Sequence, residues 1–259
     1  MHFILLSLAT VAIGPLLLDQ NTTQSSAPSY SAASIVNAAT STADALAPNA
    51  IVSIYGTDLA FDTVSTGPPA ILPVVLDSVR VFVAGMPANL YYVSPKQINF
   101  VIPSDLRPGT IDLFVARQGV AGPHVQITVN DAGPGFFQRE PGMIAATDGG
   151  GHLITKAHPA HAGQTVVLYG TGFGNTDPPI DAGAISMQPA QILGLNELQV
   201  LVAGTAVSSK SVLYAGVSPG TPGLYQLNVV LPKSLAPNPE IRMVIGTHSS
   251  PVSIRLPVN

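Results

Sequence analysis

The chain has 259 residues, a formal net charge of -4 and no cysteine, and only 9% of its residues are charged, against roughly 25% in an ordinary soluble domain. Ten scattered basic residues give no electrostatic footprint for nucleic acid. The missing thiols exclude disulfides, thiolate metal sites and a cysteine nucleophile. A hydrophobic fraction of 46% supplies a sizeable core, and 24 glycines with 24 prolines point to many turns and few long helices.

Residues 3–18 form an apolar run broken only by Ser7, Thr10, Gly14 and Pro15. That run is short of the roughly 20 residues a membrane-spanning helix needs. It matches the h-region of a signal peptide, although no Lys or Arg precedes it. The expectation is a secreted, extracellular or periplasmic protein; a retained N-terminal anchor and a buried N-terminal element are the alternatives. Residues 19–29 turn to Gln, Asn, Thr, Ser and Pro, the composition of a flexible linker. Asn21-Thr22-Thr23 matches a glycosylation acceptor.

From residue 30 onward the pattern is β. Residues 41–46 allow one short helical turn, limited by Pro48. Ile51 to Ile54 read as a strand, and Gly56 is placed to let the chain leave it through a bulge or a positive φ. Val79, Val81 and Val83 alternate with Arg80, Phe82 and Ala84, the period of a strand with one buried face, and Gly85 follows as a hairpin turn. Of Tyr91 and Tyr92, alternation sends one to the core, as it does for Phe136 and Phe137. Gln97 follows the Ser94-Pro95 turn and is expected to satisfy that turn with its amide. Ile111, Leu113 and Val115 pair with Val125, Ile127 and Val129 around Gln118-Gly119.

The same signals then recur in order. Tyr55-Gly56-Thr57 returns as Tyr169-Gly170-Thr171, displaced by 114 residues. Val83-Ala84-Gly85 returns as Val202-Ala203-Gly204 at 119, Val93-Ser94-Pro95 as Val217-Ser218-Pro219 at 124, and Gln97-Ile98-Asn99 as Gln226-Leu227-Asn228 at 129. Pro103 returns as Pro232 at the same 129. An offset that grows in small steps is a duplication with loop insertions. Ile241, Met243 and Ile245, then Val252, Ile254 and Leu256, repeat the closing strand pair around Gly246-Thr247. The expected architecture is all-β: two tandem immunoglobulin-like β-sandwiches, 30–131 and 134–259, with a short Pro/Gly joint that fixes their angle.

The stretches 53–60, 83–88, 92–100, 167–174 and 223–229 together resemble the uncharacterised C-terminal module of secreted acidobacterial (Solibacter-type) proteins. That module is itself similar to paired IPT/TIG-type immunoglobulin-like domains of the E-set kind. The resemblance spans about residues 30 to 259 and implies the tandem fold. It carries no catalytic or binding residues to transfer, and the larger N-terminal region usual in that family is absent from this sequence.

Residues that bear chemistry are few. Gly216-Val217-Ser218-Pro219-Gly220 has the spacing of a nucleophile elbow, but an elbow needs a helix after the serine, and Pro219, Gly220, Pro222 and Gly223 do not open one. His152, His158 and His161 lie close together in a turn-rich stretch and read as solvated loop residues, with adventitious metal binding as the alternative. Asn175, Asp177 and Asp181 offer oxygen ligands on a Pro-rich loop, where weak calcium binding competes with a solvated loop. Glu140, Asp148, Asp58 and Asp62 show no spacing that implies acid/base work. The absence of Trp weakens a sugar-stacking surface. The repeated Tyr-Gly-Thr, Gly and Gln-x-Asn residues read as fold residues. No catalytic, cofactor-binding or metal residues are therefore assigned, and no cofactor is expected. The expected function is a secreted or envelope-associated, non-catalytic binding or adhesion module with an extracellular protein or polysaccharide partner. It involves no nucleic acid, and no membrane beyond an uncleaved N-terminal segment. A structural spacer is the first alternative, and a hydrolase using Ser218 or a histidine-bound metal the second.

Overall fold

The computed structural model describes residues 26–67 and 71–259. The expected signal segment and most of the expected linker lie outside these residues. Two immunoglobulin-like β-sandwiches follow one another. In the first, β1 (Ile35–Asn37), β2 (Ile51–Tyr55), β3 (Val64–Ser65), β4 (Val79–Val83), β5 (Met86–Pro87), β6 (Asn89–Val93), β7 (Gln97–Val101), β8 (Gly109–Arg117), β9 (Val120–Ala121) and β10 (Val125–Val129) form two sheets. Their orders are β1-β2-β7-β6-β3 and β10-β8-β4-β5, with β9 on β8. The second begins with β11 (Gly135–Phe136), β12 (Gln138–Glu140), β13 (Met143–Ile144), β14 (Ala146–Asp148), β15 (Thr165–Thr171), β16 (Thr176–Asp177) and β17 (Gln191–Ile192). It continues with β18 (Leu198–Val202), β19 (Thr205–Ala206), β20 (Val212–Val217), β21 (Tyr225–Val230), β22 (Ile241–Ile245) and β23 (His248–Ser249). Its sheets run β11-β15-β21-β20-β17-β16, with β14 also on β15, and β19-β18-β22-β23, and β12 and β13 form a separate two-stranded sheet.

Each sandwich has its own core. Val79, Val81 and Val83 are fully buried against Ile98, Phe100, Leu113 and Val115, while Arg80 on the opposite phase of β4 is exposed. The second core gathers Val166, Leu168, Val200, Leu227, Val229 and Met243. At about 1.5–3 kcal/mol per fully buried aliphatic side chain, these inward rows are the main stabilising term of each unit.

The two copies share one hydrogen-bonding frame. Tyr55 faces Gln97 across β2 and β7, and Tyr169 faces Gln226 across β15 and β21. Val83 faces Leu113, and Val202 faces Ile241. Ala84 and Gly85 at φ 50 and 77 match Ala203 and Gly204 at φ 51 and 77, both two-residue turns with positive φ at each central residue, as the twist of a tight hairpin demands. Gln118 and Gly119 make a third such turn, at φ 49 and 81. A β-bulge recurs as well, between Leu90 and Tyr92 and between Val212 and Tyr214.

Several expectations are corrected. Gly56 and Gly170 do not have positive φ. They are glycines because the preceding segment crosses them: a Cβ would stand 2.2 Å from the Ser29 carbonyl oxygen and 2.3 Å from that of Gly135, respectively. Tyr91 and Tyr92 are both half-buried, because the bulge between Leu90 and Tyr92 breaks the alternation; Phe136 alone of its pair is in the core. Residues 41–46 form no helical turn, and Ser41 sits at φ 59. The Ser94 turn is satisfied by its own hydroxyl, which accepts from the backbone N–H groups of Lys96 and Gln97, and the Gln97 amide goes to Asn99. Register makes Ala215, rather than Val217, the counterpart of Val93, since Ala215 faces Leu227 as Val93 faces Ile98; the β20–β21 hairpin is simply longer. Residues 252–256 are no continuous strand: Val252 is 60% exposed, Ser253 has φ 67, and Arg255 makes only isolated bridges to Met143 and Glu240. Finally, residues 26–29 of the expected linker are packed on the first sandwich. Ser29 exchanges two backbone hydrogen bonds of 2.9 Å with Thr57, and the Arg117 guanidinium donates to the Ser26 carbonyl.

Candidate functional site

The residues singled out in the sequence do not converge. Ser218 is buried at the end of β20, and its hydroxyl lies 3.1 Å from the Gln226 side-chain oxygen, with a turn and no helix after it. His152, His158 and His161 are all exposed, and only His152 meets a carboxylate, Asp148, at 3.2 Å. Among the described residues no three His, Asp or Glu side chains are grouped to hold a metal ion. Asn175 accepts from Asn49 of the first sandwich at 3.3 Å, whereas Asp177 and Asp181 point to solvent. The Asp148 carboxyl is held below its usual range, chiefly by the His152 backbone N–H, and that of Glu140 by Lys156 at 3.0 Å. Asp58 lies 4.0 Å from Arg117, and Asp62 is exposed.

Two other arrangements do assemble. The first is duplicated on the outward face of one sheet of each sandwich, the β2-β7-β6 sheet in the first and the β15-β21-β20 sheet in the second. Tyr55, Gln97, Asn99 and Tyr92 are cross-strand neighbours in one copy, and Tyr169, Gln226, Asn228 and Tyr214 in the other. Gln97 Nε2 donates to Asn99 Oδ1 at 2.8 Å, and Gln226 Nε2 to Asn228 Oδ1 at 3.2 Å. Ser53 Oγ adds a second donor to Asn99 at 2.9 Å. The inward neighbours of these residues change between copies, Ile98 to Leu227 and Phe100 to Val229, while the outward quartet is identical in type. Repeat spacing exposed Tyr55, Gln97 and Asn99 in the sequence; Tyr92 and Tyr214 escaped because the longer β20–β21 hairpin displaces them.

The second is a cleft where the sandwiches meet. Asn37 Nδ2 donates to the Gly133 carbonyl at 3.0 Å, the Ile51 N–H donates to Thr171 Oγ1 at 2.8 Å, and the Tyr91 hydroxyl donates to the Pro222 carbonyl at 2.5 Å. Beside this joint opens a polar cleft of about 350 Å³, walled by Thr40, Thr42 and Asp44 of the first sandwich and Arg242, His248 and Ser249 of the second. Across the Gly246-Thr247 turn lies a more apolar hollow of about 400 Å³ with Leu106, Phe173, Leu193 and Ile245 in its wall. Nothing in the sequence marked Arg242 beyond its outward phase on a strand.

No family model and no curated protein matches the chain. Among solved structures it is similar to the SGBP-B protein of a Bacteroides ovatus mixed-linkage glucan utilization locus, in complex with a mixed-linkage heptasaccharide, at 11% identity and TM-score 0.33 over 84% of this chain and 42% of that one. It is also similar to SGBP-B from a complex xyloglucan utilization locus of Bacteroides uniformis, at 11% identity and TM-score 0.28, covering 82% and 46%. A third is domains 5–6 of the S-layer protein SbsC, at 12% identity and TM-score 0.25, covering 89% and 98%. The chain spans less than half the length of the two SGBP-B chains. No helix among the described residues is long and apolar enough to cross a membrane.

Proposed function

We propose that this chain is a secreted or envelope-associated, non-catalytic module that binds an extracellular polysaccharide. The observation that carries the reading is the outward Tyr-Gln-Asn-Tyr quartet kept in both copies while the core residues behind it vary. Amides and phenols both donate and accept, which suits the hydroxyls of a neutral sugar, although in the second copy the Tyr214 hydroxyl is engaged with the Ala190 and Val217 backbone and the Tyr169 hydroxyl with Thr147. The quartet carries no charge, and a chain with so few charges generates little field to steer a charged partner. Among the described residues histidine and carboxylate meet only in the surface pairs Asp112–His124, at 2.8 Å, and Asp148–His152, at 3.2 Å, and no three such groups converge as a catalytic site would need.

Affinity electrophoresis of the full chain through gels containing neutral polysaccharides tests this. The expected result is retardation by at least one polymer. Replacing Gln97 and Gln226 together by Ala is expected to weaken it about tenfold, the scale of one or two lost hydrogen bonds. Migration unaffected by any polymer, or retardation that the double variant leaves intact, counts against it. The rival reading, a rigid spacer, draws on the hydrogen-bonded joint at Asn37, Ile51 and Tyr91, and absence of retardation favours it.

A further inference from the structure

We infer that the polar cleft at the joint is a separate site for a short neutral saccharide, gripped between Arg242 of the second sandwich and Asp44 of the first. The inference takes the class of ligand from the polysaccharide reading; its residues are independent of the quartets. Arg242 Nη2 donates to Ser249 Oγ at 3.0 Å, but its buried Nε has no partner among the described residues. A buried donor on a charged group left without an acceptor is costly and rare, so the guanidinium is held here at a cost; Nε itself has no exposed surface, and a ligand would engage the guanidinium from the side that lines the cleft.

The fold does not require arginine there. Register places Arg242 opposite Leu201 as Phe114 stands opposite Phe82 in the first sandwich. In that copy the position closes an aromatic stack, with Phe114 4.7 Å from Phe82 and 4.3 Å from His124. The same sandwich position is therefore met by an apolar ring in one copy and by a half-buried cation in the other, and only the cation faces a cleft.

The rest of the wall defines the ligand. Asp44 is exposed and makes no ion pair among the described residues, so the cleft holds one group that only donates and one that only accepts. Thr40 and Thr42, whose hydroxyls lie 2.8 Å apart, and Ser249 can do both. An anion drawn to Arg242 would meet Asp44, and a cation drawn to Asp44 would meet Arg242. A sugar diol, which donates and accepts without charge, satisfies both. Pro251 and the 60% exposed Val252 offer an apolar strip for its C–H face. The volume falls in the roughly 300–1,000 Å³ range of small-molecule sites, which often sit between domains.

The test is titration of the full chain with cellohexaose, xylohexaose, maltohexaose and tri-galacturonate, followed by calorimetry and by the Arg242 Nε–H resonance. We expect at least one neutral hexaose to move that resonance. In a Gln97→Ala, Gln226→Ala background, which removes the quartets' contribution to the heat, Asp44→Asn should raise the Kd read at that resonance tenfold or more, and Arg242→Lys should do the same by calorimetry. Asp44 is exposed, so its variant tests the site even if the arginine variant folds poorly. Silence of the resonance with every neutral hexaose, movement with tri-galacturonate alone, or a Kd indifferent to Asp44→Asn overturns the inference. If polymer retardation persists in those cases, only the cleft is refuted; if retardation is also absent, the polysaccharide reading falls on its own test.

Discussion

The two sandwiches pair their strands in the same register yet end their hairpins differently. In the first, β6 and β7 are joined tightly between Val93 and Ile98; in the second, pairing continues past Ala215 and Leu227 to Val217 and Tyr225 and ends in a loop that reaches the other copy. Gly223 in that loop lies so close that a Cβ would stand 2.9 Å from Ile51 and 3.0 Å from the Asn49 carbonyl. The far end of β8 shows the converse. Arg117 occupies the place that Ile245 holds in β22, since Val79 faces Arg117 as Leu198 faces Ile245. It is 3% exposed, with its guanidinium 4.2 Å from the Phe61 ring and bonded to the Ser26 carbonyl. Inward rows kept the frame, while hairpin ends were remade, one copy to grip its neighbour and the other to grip the incoming chain.

The largest effect that should separate the copies is at the crossed glycines. Gly170→Ala drives a methyl into the Gly135 carbonyl, on a segment held at both ends between sandwiches, and should cost about 3 kcal/mol in urea unfolding. Gly56→Ala meets the Ser29 carbonyl, on a segment that can lift away, and should cost about 1–2 kcal/mol. The reverse order would break the comparison. Next comes Arg117→Met, expected to cost about 2 kcal/mol through its lost charged hydrogen bond and to open residues 26–29 to amide exchange; Ile245→Met at the matching site should stay under about 1.5 kcal/mol. Equal losses would mean that Arg117 is mere packing.

The smallest effect is at the joint. Tyr91→Phe removes the hydroxyl that donates to Pro222 and should cost about 1 kcal/mol. Alkali probes the same bond. Burial raises the Tyr91 phenol above its ordinary value, so its contribution is complete below the unfolded pKa near 10 and is lost as pH rises through the folded one. Tyr30, whose hydroxyl accepts from Val115 N–H and donates to the Pro123 carbonyl, is pushed up to about 12 and reports the first sandwich likewise. With no Trp in the chain, tyrosinate absorbance against pH should show these phenols ionising late, together with unfolding. Tyr91 ionising near pH 10 with the fold intact would remove the joint bond from the account.

Strands and their inward faces were legible because alternation is a local signal: Val79, Val81 and Val83 announce their face without help from the rest of the chain. Two-residue turns at Gly85 and Gly204 were legible for the same reason. What escaped depends on partners distant in sequence. The role of Gly56 comes from the carbonyl of Ser29, the half-burial of both Tyr91 and Tyr92 from a bulge against β7, and the packing of residues 26–29 from Arg117. Arg242 is the extreme case, since the cleft it lines is walled on the other side by Thr40, Thr42 and Asp44 of the first sandwich. The quartets lay between these limits: repetition flagged Gln97 and Asn99, but only the register showed that they share a surface with Tyr92 and Tyr55.

The isolated bridges at residues 255–258 also bear on the order of events during synthesis. Arg255 lies parallel to Met143 and Val258 to Ala160, and the Asn259 N–H donates to the Ala160 carbonyl at 3.1 Å. The first sandwich has all its strands once Val129 has been made, whereas the second waits for these residues. At roughly 5–20 residues per second, that is a head start on the order of ten seconds. The N-terminal sandwich has time to become a finished surface before loops 172–184 and 218–224 are laid against it, so the joint forms by docking onto a folded template, with no simultaneous collapse of two copies of one strand frame competing for one another's strands.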